Sequence, residues 1–261
     1  MPFFVAHGKF HGIDAKFHDV MIPIACNLPY TITIERTSQR SNPSRETGSP
    51  TALRTRKGSQ KIMNTVIRTN QGVQEISVEA WARSLRRCFL FGEVTDDMAM
   101  DFAKEIARFQ AEDSSKPVKV FINSPGGSVG AGMLIYDIIQ TAGVPIEMYC
   151  LGKAYSMGAI IFACGKNGRY MLPHSKVMIH EPLIQTGLGG KTSSVQTLAN
   201  DMLRTKASLA EVLQKHTGQP SEKLEEVMKN DTFFTAQEAV DFGLADGVKG
   251  FEEMMKEEGE A

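Results

Sequence analysis

The sequence predicts an α/β fold. From Met63 onward, short β-type apolar runs alternate with segments whose apolar residues recur every three or four positions, and turns bearing glycine or proline separate them. With 261 residues, 42% of them hydrophobic, the chain can bury a substantial core. No run reaches the roughly 18 apolar residues that span a bilayer, and the start lacks a basic, then apolar, then small-residue signal pattern. Cys26, Cys88, Cys150 and Cys164 form no Cys-x-x-Cys pair, which points to a reducing compartment without structural zinc.

Residues 1–62 read differently from the rest. They hold nine Lys/Arg against four Asp/Glu, leaving 20 basic and 26 acidic residues for 63–261. The body is modestly acidic, and no basic stripe argues for nucleic acid. Ser38 to Lys61 is rich in Ser, Arg, Thr, Gly and Pro with almost nothing to bury, so at least 36–62 is expected to be disordered. A presequence, a propeptide and an early start are the three readings of this extension. The third is preferred, because Met63 opens the foldable sequence.

Thr65 to Ile76 is a polar segment around Gly72, Val78 to Arg87 forms a short helix, and Cys88 to Phe91 is a compact strand ended by Gly92. Thr95 or Asp96 caps a helix in which Met98, Phe102, Ile106 and Phe109 share a buried face, with Asp101, Lys104, Glu105 and Arg108 on the solvated one. Val118 to Ile122 is a strand that breaks at Asn123-Ser124-Pro125-Gly126-Gly127-Ser128 before a helix over about 128–142. A Pro-Gly-Gly turn in that place lets backbone N–H groups approach something closely, although an ordinary strand-to-helix turn has the same composition. The spacing from Gly126 to Gly132 does not fit a dinucleotide-binding loop.

Pro145 opens a strand, Ile146 to Leu151, and a serine turn follows, Gly152-Lys153-Ala154-Tyr155-Ser156-Met157-Gly158, leading into a helix through about Cys164. A helix starting at Ser156 directs its free N–H groups toward the hydroxyl and favours negative charge developing there. Tyr170 to Leu172 and Lys176 to Ile179 are further strands. The second ends in His180-Glu181-Pro182, where a histidine can project into a cleft. The glycine-rich stretch 183–192 fails as a phosphate loop because position 185 is Gln185. A long helix over about 192–216 carries Val195, Leu198, Met202, Leu209 and Val212 or Leu213 on one face, and its length suggests that it projects and packs against a neighbour. Gly218 stops it and Ser221 caps a short helix. Asn230-Asp231-Thr232-Phe233-Phe234 leads to a last helix, Thr235 to Phe242, and Glu252 to Glu260 is expected to be a solvated acidic tail.

A serine at a strand-to-helix turn, a histidine at a strand end and an aspartate are the components of a hydrolytic relay. The imidazole takes the hydroxyl proton and the carboxylate fixes its tautomer. The Gly-Gly turn and the N–H after the serine can supply oxyanion donors. Spacing alone leaves Asp231, Asp201 and Asp246 all eligible. Residue 154 is Ala, which departs from the Gly-x-Ser-x-Gly elbow of α/β-hydrolases.

Five motifs in order then carry a resemblance: Phe121 to Gly127, Ala154 to Gly158, Val177 to Pro182, His216 to Gln219, and Asp231 through Glu238 to Leu244. From about Val66 to Val248 the chain closely resembles ClpP, the proteolytic subunit of the Clp protease. The resemblance implies a ClpP/crotonase-like fold of stacked αββ units, with the long helix as a handle joining two heptameric rings into a tetradecameric chamber. It implies Ser156 as nucleophile, His180 as general base and Asp231 as its orienting carboxylate, with Gly127 and Met157 giving the oxyanion-hole N–H groups. It further implies that Thr65 to Ile76 forms an axial pore loop, that the glycine-rich loop helps hold substrate as a strand, and that unfolded chains arrive from a docked AAA+ unfoldase. That partner uses the ATP; no cofactor or metal is expected in this chain, and the expected setting is cytoplasmic, or an organelle stroma or matrix if 1–62 is a presequence.

Departures from the family pattern are Glu181 in place of glutamine, Tyr155 in place of a smaller residue, Trp81 in place of a tyrosine, and a slightly longer loop before the handle. They bear on substrate and partner preference. A phage-type head-maturation protease, or a structural ring subunit with little activity, are the alternatives. The domain expected to fold is 63–261, with 1–62 outside the resemblance.

Overall fold

The computed structural model describes residues 63–69, 72–183 and 191–256. The extension 1–62, most of the glycine-rich loop before the long helix, and the last five residues lie outside them. The polar segment after Met63 forms an antiparallel hairpin, β1 (Asn64–Thr69) with β2 (Gly72–Ser77). Ser77 caps α1 (Val78–Ser84), and β3 (Arg87–Phe91) begins one residue before the expected strand.

Thr95, rather than Asp96, caps α2 (Asp96–Glu112), its side chain accepting from Met98 N–H. Phe102, Ile106 and Phe109 are buried as their spacing requires. The opposite face is an ion-pair surface in which Arg108 meets Glu105 and Glu112 and Lys104 meets Asp101. β4 (Val118–Ser124) precedes α3 (Val129–Thr141), β5 (Ile146–Tyr155) and α4 (Met157–Ala163). All seven residues of α4 are buried, so this helix is the centre of the core and needs no polar face.

The main sheet runs β3-β4-β5-β6-β9, with β6 (Arg169–Met171) and β9 (Gly247–Val248), and β3 through β6 and β9 are parallel. It forks at β5. Met148 to Cys150 pair with β6, whereas Lys153 to Tyr155 pair with β7 (Lys176–Ile179). The register against β4 shifts between Ile122 and Ser124, a bulge that bends the strand. Ser175 joins the two branches: its buried hydroxyl donates to Cys150 O and accepts from Gly152 N–H. The apolar run ending at Leu151 therefore continues as strand through Tyr155, further than composition suggests.

Alternation along β4 puts Val118, Val120 and Ile122 into the main core and Phe121 on the other face of the sheet. There Phe89, Phe121, Tyr149 and Tyr170 occupy one register row across four strands, with stacked or tilted rings. The expected solvated tail is corrected at Met254 alone: Glu252 and Glu253 are exposed, and 257–260 lie outside the described residues. Residues Phe251–Met255 form a short helix, α8, whose Met254 is completely buried against Phe121 and Tyr149. Arg87 donates to Met255 O, and Lys119 to Met254 O and Lys256 O, so two cations cover the carbonyl end of that helix.

The long helix, α5 (Thr192–Thr217), is 26 residues, about 39 Å at 1.5 Å per residue. Its buried residues are Leu209, Val212 and Leu213, all in the second half. Leu198 and Leu203 of the first half are 41% and 66% exposed, so the described residues leave the face predicted through Leu198 only partly covered. After α6 (Ser221–Met228), whose cap is Pro220 rather than Ser221, comes a strand that composition did not reveal, β8 (Thr232–Thr235), antiparallel to β7. Thr235 and Glu238 form a capping box on α7 (Ala236–Phe242).

Candidate active site

The carboxyl ends of three neighbouring parallel strands meet at one edge, the usual location of sites on such sheets. The Gly126-Gly127 turn leaves β4, Ser156 leaves β5 and His180 leaves β7. Asp231 reaches the same edge by the opposite route. It immediately precedes β8, whose first residue, Thr232, pairs with Ile179, so antiparallel pairing places Asp231 beside His180.

Ser156 Oγ is 2.8 Å from His180 Nε2, and His180 Nδ1 is 3.0 Å from Asp231 Oδ1. A carboxylate can only accept, so Nδ1 carries the proton and Nε2 is left as the acceptor for the serine hydroxyl. The His180 side chain is 13% exposed and that of Asp231 63%. The imidazole is thus held in a largely enclosed position by a carboxylate that faces solvent.

Ser156 has φ 54° and ψ −123°, conformationally costly for a residue with a side chain, on the order of 1–3 kcal/mol. Its N–H is fixed by Met178 O at 2.8 Å. It occupies the cap position of α4, yet its hydroxyl makes no capping bond and turns to His180. The strained strand-to-helix elbow is therefore present without the Gly-x-Ser-x-Gly sequence.

The glycine turn packs directly against this elbow. A Cβ on Gly126 would lie 2.7 Å from Ser156 Cβ and 2.8 Å from Tyr155 O, and one on Gly127 would lie 2.4 Å from Val94 O. Both have positive φ, 99° and 151°. Composition alone admitted an ordinary turn; the close approach demands glycine at both positions. Val94 N–H donates to Gly126 O and Ser128 N–H to Val94 O, which pins the turn and leaves Gly127 N–H outside these bonds. Met157 N–H, at the first position of α4, has no carbonyl one turn back to engage. The sequence points to both glycines of the turn but gives a specific role only to Gly127; the lack of a side chain at Gly126 gives the elbow its room.

A family model of the Clp protease matches residues 70–251. The chain is 40% identical over 180 residues to ATP-dependent Clp protease proteolytic subunit 1 of Chlamydia felis strain Fe/C-56, an alignment covering 68% of this chain and 88% of that one. It is likewise 40% identical over 180 residues to ATP-dependent Clp protease proteolytic subunit 2 of Chlamydia abortus strain DSM 27085 / S26/3, covering 68% of this chain and 87% of that one. The chain belongs to the Clp protease family. It is a serine-type peptidase subunit with the mixed α/β fold that goes with that membership.

Other chemistry-bearing residues of the chain are engaged away from this site. Asp246 is engaged by the Arg169 guanidinium through both carboxylate oxygens, and Asp201 is exposed on α5. Burial pushes the thiols of Cys88 and Cys150 up to about 12, and that of Cys164 higher still, so these cysteines are inert core residues. Glu181 points away to Lys206 of α5, at 2.6 Å. Tyr155 meets Phe233 edge to face at 5.5 Å, across the strand row Tyr155, Met178, Phe233. Among the described residues no helix is long and apolar enough to cross a membrane.

Proposed function

We propose that Ser156, His180 and Asp231 are the nucleophile, general base and orienting carboxylate of peptide-bond hydrolysis, with the N–H groups of Gly127 and Met157 as oxyanion donors. The single observation that carries this is the unbroken line from Ser156 Oγ through His180 to Asp231, with links of 2.8 and 3.0 Å. As Oγ attacks the scissile carbonyl carbon, its proton passes to Nε2 and the carbonyl π electrons move to oxygen, toward the two N–H donors. The imidazolium, paired with Asp231, then gives that proton to the leaving amine, and the C–N bond breaks to leave an acyl-serine. Water repeats the sequence with His180 again as base, releasing the carboxyl product and restoring the hydroxyl.

The wider reading is a self-compartmentalised protease of two heptameric rings that takes unfolded chains from an AAA+ unfoldase, the ATP being used by that partner and no cofactor by this chain. Leu198 and Leu203, exposed on the first half of α5 among the described residues, support association between copies, and the parent family supports a cytoplasmic enzyme. Two measurements test the proposal. A fluorophosphonate should label wild type at Ser156 and leave Ser156→Ala unlabelled. Casein should be degraded rapidly only with the cognate unfoldase and ATP. Assembled rings without a Ser156 adduct would sink the catalytic assignment, and ATP-independent casein degradation would sink the partner assignment.

A further inference from the structure

The base-bearing segment is fastened on two sides. Glu181 N–H donates to Met228 O at 2.8 Å, three residues before Asp231, which ties the segment to the end of α6. The Glu181 side chain goes the other way and accepts from Lys206 Nζ at 2.6 Å. Lys206 lies three residues before Leu209, the first buried residue of α5, and so marks the point where that helix leaves the globule. The residue directly after the base is therefore bonded to the root of the projecting half of α5. We infer that the Glu181–Lys206 pair is a latch that couples the position of α5 to His180, with Glu181 as a positioning residue for the base.

Three features support a coupling role over an incidental surface pair. The partners are 25 residues apart on different elements, and they join the site to a helix whose first half has no fully buried residue among the described ones. Pro182 follows at once and restricts the backbone of Glu181, so displacement of that side chain is passed to the backbone next to His180. Lys206, with lesser contributions from Lys229 and His180, holds the Glu181 carboxyl below its ordinary range, so the latch is charged at neutral pH. The two side chains are 36% and 39% exposed, which makes the latch sensitive to salt.

The inference rests on the triad assignment, and charge reversal separates the two. Assembled wild type, Glu181→Gln, Glu181→Lys, Lys206→Glu and the Glu181→Lys/Lys206→Glu double variant are compared by peptide hydrolysis and by the rate of Ser156 labelling with a fluorophosphonate. Each single reversal should lower kcat and the labelling rate about two- to fivefold with KM little changed, the scale of a half-exposed pair. The double variant should recover most of the loss, and only wild type and the double variant should lose kcat on raising salt. Glu181→Gln keeps the size and hydrogen-bonding ability while removing the charge, and should fall in between even where a reversal disturbs folding. Unchanged kcat and labelling in Glu181→Gln, or a double variant no better than the singles, overturns the latch. Undiminished labelling in Ser156→Ala overturns the triad instead.

Discussion

Replacing Gly126 by alanine tests whether the glycine turn and the serine elbow form one built site. The new Cβ would sit 2.7 Å from Ser156 Cβ, so restoring an ordinary 3.4 Å contact requires about 0.7 Å of movement. Neither side yields easily. The other near atoms are the backbone atoms Tyr155 O at 2.8 Å and Met157 N at 3.2 Å, and the turn is pinned through Val94. The movement therefore displaces Ser156 or the Met157 N–H. A misplacement near 1 Å costs about 10²-fold, and loss of one oxyanion donor about 10²–10³-fold, so kcat should fall roughly 10²–10³-fold. Alanine at φ 99° adds strain of about 1–3 kcal/mol, and Tm should drop by about 2–4 °C for each kcal/mol. The assay is peptide hydrolysis and fluorophosphonate labelling alongside thermal unfolding. Gly130→Ala is the matched control: in α3 its Cβ meets nothing nearer than Ser128 Oγ at 3.9 Å, so activity should hold and stability rise by about 0.5–1 kcal/mol. A Gly126→Ala enzyme within threefold of wild type in kcat would refute the reasoning.

Asp231→Asn should lower kcat about 10³-fold with the fold intact, because the amide can donate to Nδ1 and so favours the tautomer whose Nε2 no longer accepts from Ser156; a loss under tenfold would show that solvent orients the imidazole as well. Ser156→Gly should unfold at a higher temperature than Ser156→Ala, by the equivalent of about 1 kcal/mol or more, since only glycine relieves the cost of φ 54° and ψ −123°; equal midpoints would remove the strain argument. Burial, aided by Lys215 and Arg169, pushes the His216 imidazole down to about 4 from an ordinary 6.5. The unfolded chain then binds the proton more readily between those values, so this group's contribution is complete above about 6.5 and is lost as pH falls toward 4. Chemical denaturation of His216→Gln across that window should give a shallower loss of stability than wild type, and parallel curves would contradict it.

The helix faces, the β-type runs and the three site motifs were legible because periodicity, turn chemistry and residue type are local properties of the chain. Phe102, Ile106 and Phe109 declare a buried face by spacing alone, and Ser156 and His180 announce themselves at the ends of apolar strands. The choice of Asp231 over Asp201 and Asp246 was not local. It depends on the antiparallel register of Thr232 with Ile179, and Thr232-Phe233-Phe234-Thr235 is too short to declare itself a strand. The acidic end was misread at Met254 for the same reason. Glu252 and Glu253 suggest solvent, but Met254 finds an aromatic row assembled from Phe121 and Tyr149 on separate strands. Sequence by itself determined most of the elements and singled out Ser156 and His180 as candidates. Tertiary structure decided which carboxylate meets His180, why Gly126 cannot carry a side chain, and where Lys206 of the long helix meets Glu181, because pairing register and close approach join residues that the chain keeps far apart.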